Sequence, residues 1–397
     1  MNKTLGAIFL IAGCCIGAGM LGMPVITGPS GFIPSLVAFI LSWQFMLVTG
    51  VILLDLYLSV SDKKVNLITL AKTTLGVKGK IITWVLFAFL FYALMTAYVA
   101  GSAQLLASFV KDFFGFEISH ALACILFTVA TYLIITKGVD SVDVWNRRFM
   151  YGLFLCYVLL IAFATPHVST SGLSYSNWGR VPMTFPVLIV TFGYHNLLPS
   201  LISYLNRDRK KLIFSIFIGS LIPLIVYVIW QSIIFGLVPV DKMNEWVIAN
   251  AQGELVTQVL QDVIGNSAVV FISQTFALFA IATSFLPVSL SFLDFLRDGL
   301  SNQHRKPKTE LLGILVLVPP LLITLIDPSI FLQALGFAGG FCAVILFGIL
   351  PCVMCWIRNK ELKKKGLRFE SRPVLIGITS LAICVLLIEI FHEVGVL

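Results

Sequence analysis

Two short segments carry residue types that could do chemistry with bare backbone. Gly13-Cys14-Cys15-Ile16-Gly17-Ala18-Gly19-Met20-Leu21-Gly22-Met23-Pro24 packs four glycines and a proline into twelve residues. Thr191-Phe192-Gly193-Tyr194-His195-Asn196-Leu197-Leu198-Pro199 places Gly, His, Asn and Pro in a second, otherwise apolar stretch. Glycine weakens a helix and proline weakens it more, so both segments predict interrupted helices. An interruption frees amides at the start of one half-helix, where the dipole is positive, and carbonyls at the end of the other. The register repeats: Gly19 precedes Pro24 by five residues, and Tyr194 precedes Pro199 by five. The plainer alternative is that glycines such as Gly13 and Gly17, or Gly336 and Gly340, only let helices pack closely.

The elements that must position these segments are membrane spans. Of 397 residues, 58% are hydrophobic and 12% charged, with a mean hydropathy of +0.99. A soluble globule typically carries about 25% charged residues, and disorder requires low hydrophobicity, so both classes are excluded. Apolar runs of about 20 residues cross a bilayer, and eleven are expected: roughly 5–27, 32–58, 81–110, 118–136, 148–165, 183–205, 212–238, 267–296, 310–326, 330–357 and 373–391. With the N-terminus and every second connection in the cytoplasm, all Lys and Arg except Lys111, Arg180 and Lys242 fall inside. That is the positive-inside bias, and an odd number of spans puts the C-terminus outside. The net charge of +8 is thereby read as topology rather than nucleic-acid binding.

Exposed backbone in hydrocarbon is expensive and persists only where protein or a cavity surrounds it. The interruptions fall in spans one and six, five spans apart, so the second group of five enters with opposite orientation. Interrupted spans at corresponding positions of two inverted halves are the best sequence pointer to a transporter's substrate site. A channel predicts instead a continuous polar path and subunit symmetry. A membrane enzyme needs a nucleophile–base pair or metal cluster at depth, and His195 with Cys15 is the one conceivable pair, so no enzyme is expected. Gly17-Ala18-Gly19-Met20-Leu21-Gly22 satisfies the dinucleotide pattern G-x-G-x-x-G, which needs a preceding strand and an acidic residue about 20 positions on. It lies within a span and the first carboxylate after it is Asp55, so that reading is rejected. All eight cysteines sit in or at the ends of apolar runs, as small hydrophobes rather than disulfides. The longest connection, 239–266, is read as an outer loop with short helical pieces.

At these residues the chain resembles the hydroxy/aromatic amino acid permeases of the amino acid–polyamine–organocation superfamily, most of all the tyrosine-specific permeases. Gly17-Ala-Gly-Met-Leu-Gly-Met-Pro24, Phe192-Gly-Tyr-His-Asn-Leu-Leu-Pro-Ser200 and Thr283-Ser-Phe-Leu286 followed by Leu293-Asp-Phe-Leu-Arg-Asp298 carry the likeness, which extends over essentially the whole chain. The resemblance implies an all-α integral membrane fold of eleven transmembrane helices, a five-plus-five inverted repeat of the leucine-transporter type with broken helices 1 and 6. One transport domain, 1–397, would comprise repeat one (1–165), repeat two (183–357) and an extra C-terminal helix (373–391). It implies a secondary active transporter importing an aromatic amino acid, tyrosine first, across a bacterial-type inner membrane by proton- or sodium-coupled symport. Another neutral amino acid such as tryptophan or serine is the alternative substrate. The expected partners are the substrate and the bilayer, the expected state a monomer, and no cofactor beyond the coupling ion is expected.

A zwitterion in a dry pocket needs both charges answered. The amides of Ala18, Gly19 and Met20 are expected to face its carboxylate, and the carbonyls of Cys15, Ile16, Phe192 and Gly193 its ammonium, with Gly17, Tyr194 and His195 lining the same gap. No Asp or Glu lies near the centre of either interrupted span, whereas a cationic substrate such as arginine would more naturally ask for a buried carboxylate. In span three Tyr92, Thr96 and Gln104 recur near four-residue spacing and are taken as the inward face, whereas Tyr98 cannot share a face with Thr96.

For the driving ion two readings stand. His195, alone among the five histidines in lying near mid-membrane, is a proton carrier by its ordinary titration range, or else hydrogen-bonds freed backbone. Ala280, Thr283 and Ser284 at i, i+3, i+4 offer a carbonyl and two hydroxyls. The resemblance adds the carbonyls of Gly13 and Ile16, so that five neutral oxygens suit Na⁺. A second sodium site of that fold lacks its asparagine, replaced by Met20. Asp55, Asp294 and Asp298 are read as interfacial charges or gate ion pairs with Arg207 or Arg297.

Overall fold

The computed structural model describes residues 3–17, 19–60, 66–238, 243–252, 255–257, 267–300, 307–361 and 371–394. Ala18 and most of the 239–266 connection, including Asp241, Glu254 and Asp262, lie outside the described residues. The helices are α1 (Lys3–Cys15), α2 (Gly19–Thr27), α3 (Phe32–Ser59), α4 (Leu67–Phe114), α5 (His120–Ile135), α6 (Val139–Ala164), α7 (Phe185–Thr191), α8 (Leu198–Tyr204), α9 (Arg209–Leu237), α10 (Met243–Gln252), α11 (Ser267–Leu300), α12 (Thr309–Ile326), α13 (Phe331–Gly336), α14 (Leu350–Glu361) and α15 (Arg372–Glu393). A π-helical segment, Phe337–Ile349, joins α13 to α14.

Among the described residues, nine helical stretches are long and apolar enough to cross a membrane, or ten if α1 and Gly19–Ser30, bent by 51°, form one span. The expected span at 118–136 is the 16-residue α5, short of the about 20 residues a perpendicular crossing needs. The chain is therefore a multi-pass, all-helical membrane protein. Helical structure also occurs in residues read as connection: α4 begins at Leu67 and changes direction at Gly76, whose φ of +73° only glycine takes up cheaply.

Polar residues at helix starts follow the physics of unpaired amides. Ser119 accepts from Leu122 N and Asn66 from Thr69 N. Asp208 accepts from the amides of Lys210 and Lys211 at the start of α9. The Lys211 amide and ammonium hold the Asp208 carboxyl below the usual carboxylate range. Between α8 and α9 the chain turns through Asn206 and Arg207, both at positive φ. The Arg207 guanidinium then donates to the carbonyls of Leu58 and Val60 at the end of α3.

The interior is apolar and aromatic, with Phe39, Phe192, Tyr194, Tyr227, Trp230, Phe276 and Phe285 fully buried. α1 packs along α9, while α7 is enclosed by α2, α3 and the π segment. Asn177 N donates to Ser30 O at 2.7 Å, pinning the 165–184 connection over the end of α2 and thereby fixing where α7 enters.

Candidate functional site

The first interrupted segment is bounded by helical hydrogen bonding on both sides. Ile16 N still bonds Ala12 O at 2.9 Å, and Met20 N turns back to Gly17 O at 3.0 Å. In the second, Phe192 N and Gly193 N bond Leu188 O and Val190 O. Phe192, Gly193 and Tyr194 leave the helix, and a 3-10 turn, His195–Leu197, leads into α8. The two segments face each other. The Cys14 thiol donates to Gly193 O at 3.3 Å and lies 3.8 Å from Asn196 Oδ1. A Cβ on Gly19 would stand 2.5 Å from Thr191 Oγ1.

A third element, unanticipated from the sequence, ties them together. Tyr227 of α9 is wholly buried, and its hydroxyl lies 2.6 Å from Cys15 O and 3.2 Å from Thr191 O. One hydroxyl proton is thus presented to the C-terminal carbonyls of both first half-helices. One turn on, Trp230 Nε1 donates to Met20 O at 3.1 Å. Gln231 Nε2 donates to Thr27 Oγ1 at 2.6 Å. These three residues stand at i, i+3, i+4 in an apolar span, a spacing that puts polar groups on one inward face. That pattern was the available signal.

Cys15 O, expected to meet an ammonium group, is the oxygen that Tyr227 engages. The small size of Gly17 and Gly19 has a local cause in protein neighbours. A Cβ on Gly17 would collide with Ser284 Oγ and stand 4.0 Å from Ala280 O, and one on Gly19 would meet Thr191. The Gly17 contact brings the end of the first interrupted segment against the residues read as a cation seat on α11. There the Thr283 hydroxyl donates to Phe279 O or Ala280 O, at 2.8 and 3.0 Å. Gly13 has its Cβ direction toward Met150 of α6, 3.9 Å away.

His195 is buried, and its Nε2 lies 2.9 Å from Thr49 Oγ1 of α3. Its ring stacks between Tyr194 and Phe347, with centroids at 4.8 and 4.7 Å. The Tyr194 hydroxyl donates to Met46 O at 3.1 Å, against the flank of Gly50. Tyr194 and His195 therefore anchor the second segment to α3, beside the paired gap.

Span three divides differently from the expected face. The Tyr92 hydroxyl donates to Leu315 O and Gln104 Nε2 to Pro328 O, so both turn toward α12 and its exit rather than the interrupted segments. Thr96 is buried, with its carbonyl 3.5 Å from Thr324 Oγ1 of α12. Tyr98, set aside on spacing, is buried edge-on to Phe285. A four-residue count identifies a stripe, but a helix contacting neighbours all round has more than one, and only packing says which faces the gap.

Near the end of α3, Asp55 is buried and paired with Arg209 at 2.6 and 2.9 Å. Asp294 pairs with Arg297 on an exposed face, and nothing is described for the Asp298 side chain.

The family model described as the tryptophan/tyrosine permease family matches residues 1–393. A tyrosine-specific transport system 1 of Haemophilus influenzae is 30% identical over 359 residues, covering 90% of this chain and 88% of that protein. A tryptophan-specific transport protein of Pseudomonas aeruginosa is 28% identical over 368 residues, with 90% and 87% covered. Among solved structures, MhsT in complex with L-phenylalanine aligns with a TM-score of 0.69 at 13% identity, covering 97% of this chain and 98% of that one. That likeness establishes a shared fold, of the leucine-transporter type.

Proposed function

The chain belongs to the tryptophan/tyrosine permease family, whose named members are transport systems and permeases rather than enzymes, and we propose that it imports an aromatic amino acid, tyrosine first, by cation-coupled symport. One observation carries the reading: the segments that follow α1 and α7 face each other, and Tyr227 reaches the carbonyl ends of both helices. Helix interruptions facing each other supply an anion-seeking amide end and a cation-seeking carbonyl end, which is what a zwitterion requires.

We place the substrate carboxylate at the amides of Ala18 and Gly19; the Met20 amide, also expected there, is turned back to Gly17 O instead. Its ammonium goes to the remaining carbonyls, Ile16, Phe192 and Gly193, with Cys15 O available once Tyr227 turns to Thr191 O. Tyr98 is a candidate for the side-chain wall. Eleven spans follow when α1 with α2, α7 with α8, and the short α5 each count as one crossing. Repeat one (1–165) and repeat two (183–357) then carry their breaks at matching places, with α15 an addition. Alternating access is rocking of the broken helices against α4 and α11 about the fixed gap. The chain works as a monomer in the inner membrane, with its N-terminus cytoplasmic and C-terminus outside, as its Lys and Arg distribution supports.

The cation seat is the seam of Gly13, Ile16, Ala280, Thr283 and Ser284, supported by the contact of Gly17 with Ser284. We assign His195 the tethering role its bond to Thr49 supports. Counterflow of labelled tyrosine and tryptophan in proteoliposomes, with sodium and pH gradients imposed separately, tests substrate and ion together. No uptake of either amino acid under either gradient overturns the proposal.

A further inference from the structure

A cavity of about 330 Å³ opens at one end of the bundle, between α15 and the ends of α2, α7 and α13. Its size falls within the range of small-ligand sites, about 300–1,000 Å³. Met183, Pro186 and Val187, before and at the start of α7, form one wall, and none of the lining residues is among those that bound the gap.

Two elements, α15 and the turn before α7, bring charged or titratable side chains to it. Arg180 is one of three basic residues that fall outside the cytoplasmic connections, an exception the topology left unexplained. Glu389 is a carboxylate within the apolar run of α15 and is 5% exposed. His392 lies almost one turn further along α15. Room for the carboxylate is built into the fold. A Cβ on Gly336 would stand 2.9 Å from Glu389 Oε1, and one on Gly340 would stand 3.0 Å from its Cδ. Two glycines one turn apart thus form a notch that seats Glu389 at the cavity wall. A carboxylate within a membrane span is costly and marks function by default, and none of the transport chemistry above uses this one. A carboxylate offers about four acceptor positions, so a partner already in place leaves others for a ligand.

We propose that this cavity is a second binding site, separate from the paired interruptions, for a compact zwitterion. The ammonium group sits against Glu389, the anionic group against Arg180 and the His392 imidazole, and the apolar remainder over Met183 and Leu332. Two sources carry that chemistry: a free amino acid and the headgroup of phosphatidylethanolamine. The charge arrangement stands independently of the transport reading, which bears only on the amino acid source.

The test uses the full chain in phosphatidylcholine nanodiscs, with labelled L-tyrosine and L-tryptophan titrated to saturation. Native mass spectrometry is run in parallel after addition of phosphatidylethanolamine. A second equivalent of amino acid per chain identifies the first source, and a retained phosphatidylethanolamine the second. In either case Glu389→Gln and Arg180→Gln each weaken the second ligand about tenfold or more, the ordinary cost of losing a charge-assisted bond, while the first amino acid equivalent is untouched. The proposal is overturned if the wild-type chain binds one amino acid and retains no phosphatidylethanolamine, or if both variants hold the second ligand as tightly as wild type. Loss of the first equivalent in every chain, with lipid retention still sensitive to both substitutions, would instead count against the central site alone.

Discussion

The Tyr227 hydroxyl stands 2.6 Å from the carbonyl oxygen of Cys15 and 3.2 Å from that of Thr191. A single phenol on α9 therefore stands between the carbonyl ends of two helices that the sequence separates by more than 170 residues. An unpaired carbonyl in an apolar interior is expensive, and this hydroxyl offers a donor at both ends.

Tyr227→Phe keeps the ring, which packs on Phe39 and Phe192, and removes the donor. A buried acceptor left without its partner costs about 1–3 kcal/mol. Uptake is expected to fall roughly tenfold to a hundredfold by the corresponding affinity arithmetic, with the protein still inserted and monodisperse. Wild-type uptake would show that Tyr227 is packing only.

Gly19→Val is expected to abolish transport, because its side chain must occupy the place of Thr191. The milder Gly19→Ala should reduce uptake, and Thr191→Ala should partly restore it by removing the nearest atoms, Oγ1 and Cγ2. Absence of any rescue in the double variant would point to ligand approach, rather than the Thr191 contact, as the reason for glycine there.

Thr283→Ala and Ser284→Ala each remove one hydroxyl from the proposed cation seat. Both should raise the cation concentration needed for half-maximal uptake by about tenfold, the scale of one lost ligand bond. Substrate uptake at saturating cation should change far less. An unchanged cation dependence in both variants would remove the seat from this seam.

His195→Gln tests tether against proton carrier. If His195 positions the second segment through Thr49, the variant loses uptake rate but keeps the wild-type response to imposed pH and sodium gradients. A selective loss of pH-driven accumulation would reassign His195 to proton transfer.

Asp55→Asn breaks a buried bidentate pair. Removing one partner of a fully buried pair costs about 3–5 kcal/mol. Because the Arg209 side chain is 42% exposed, water re-solvates it and about 1–3 kcal/mol is expected here. Thermal unfolding in detergent should show the loss, and an unchanged midpoint would mean the pair contributes nothing measurable.

The sequence by itself determined that this chain crosses a membrane many times, and its Gly- and Pro-rich segments fall where α1 ends at Cys15 and α7 at Thr191, because hydropathy and the cost of Gly and Pro are local properties. The four-residue stripe in span three shows the limit of such local properties. Spacing says which residues share a face, and Tyr92 and Gln104 do turn together, but toward α12 rather than the gap. Which face meets which neighbour is a property of packing. Only the tertiary structure placed Thr191 against Gly19, Ser284 against Gly17 and Tyr227 between two carbonyl ends. Each of those contacts joins residues far apart in the chain, and in a chain so uniformly apolar no local pattern distinguishes a partner helix from lipid.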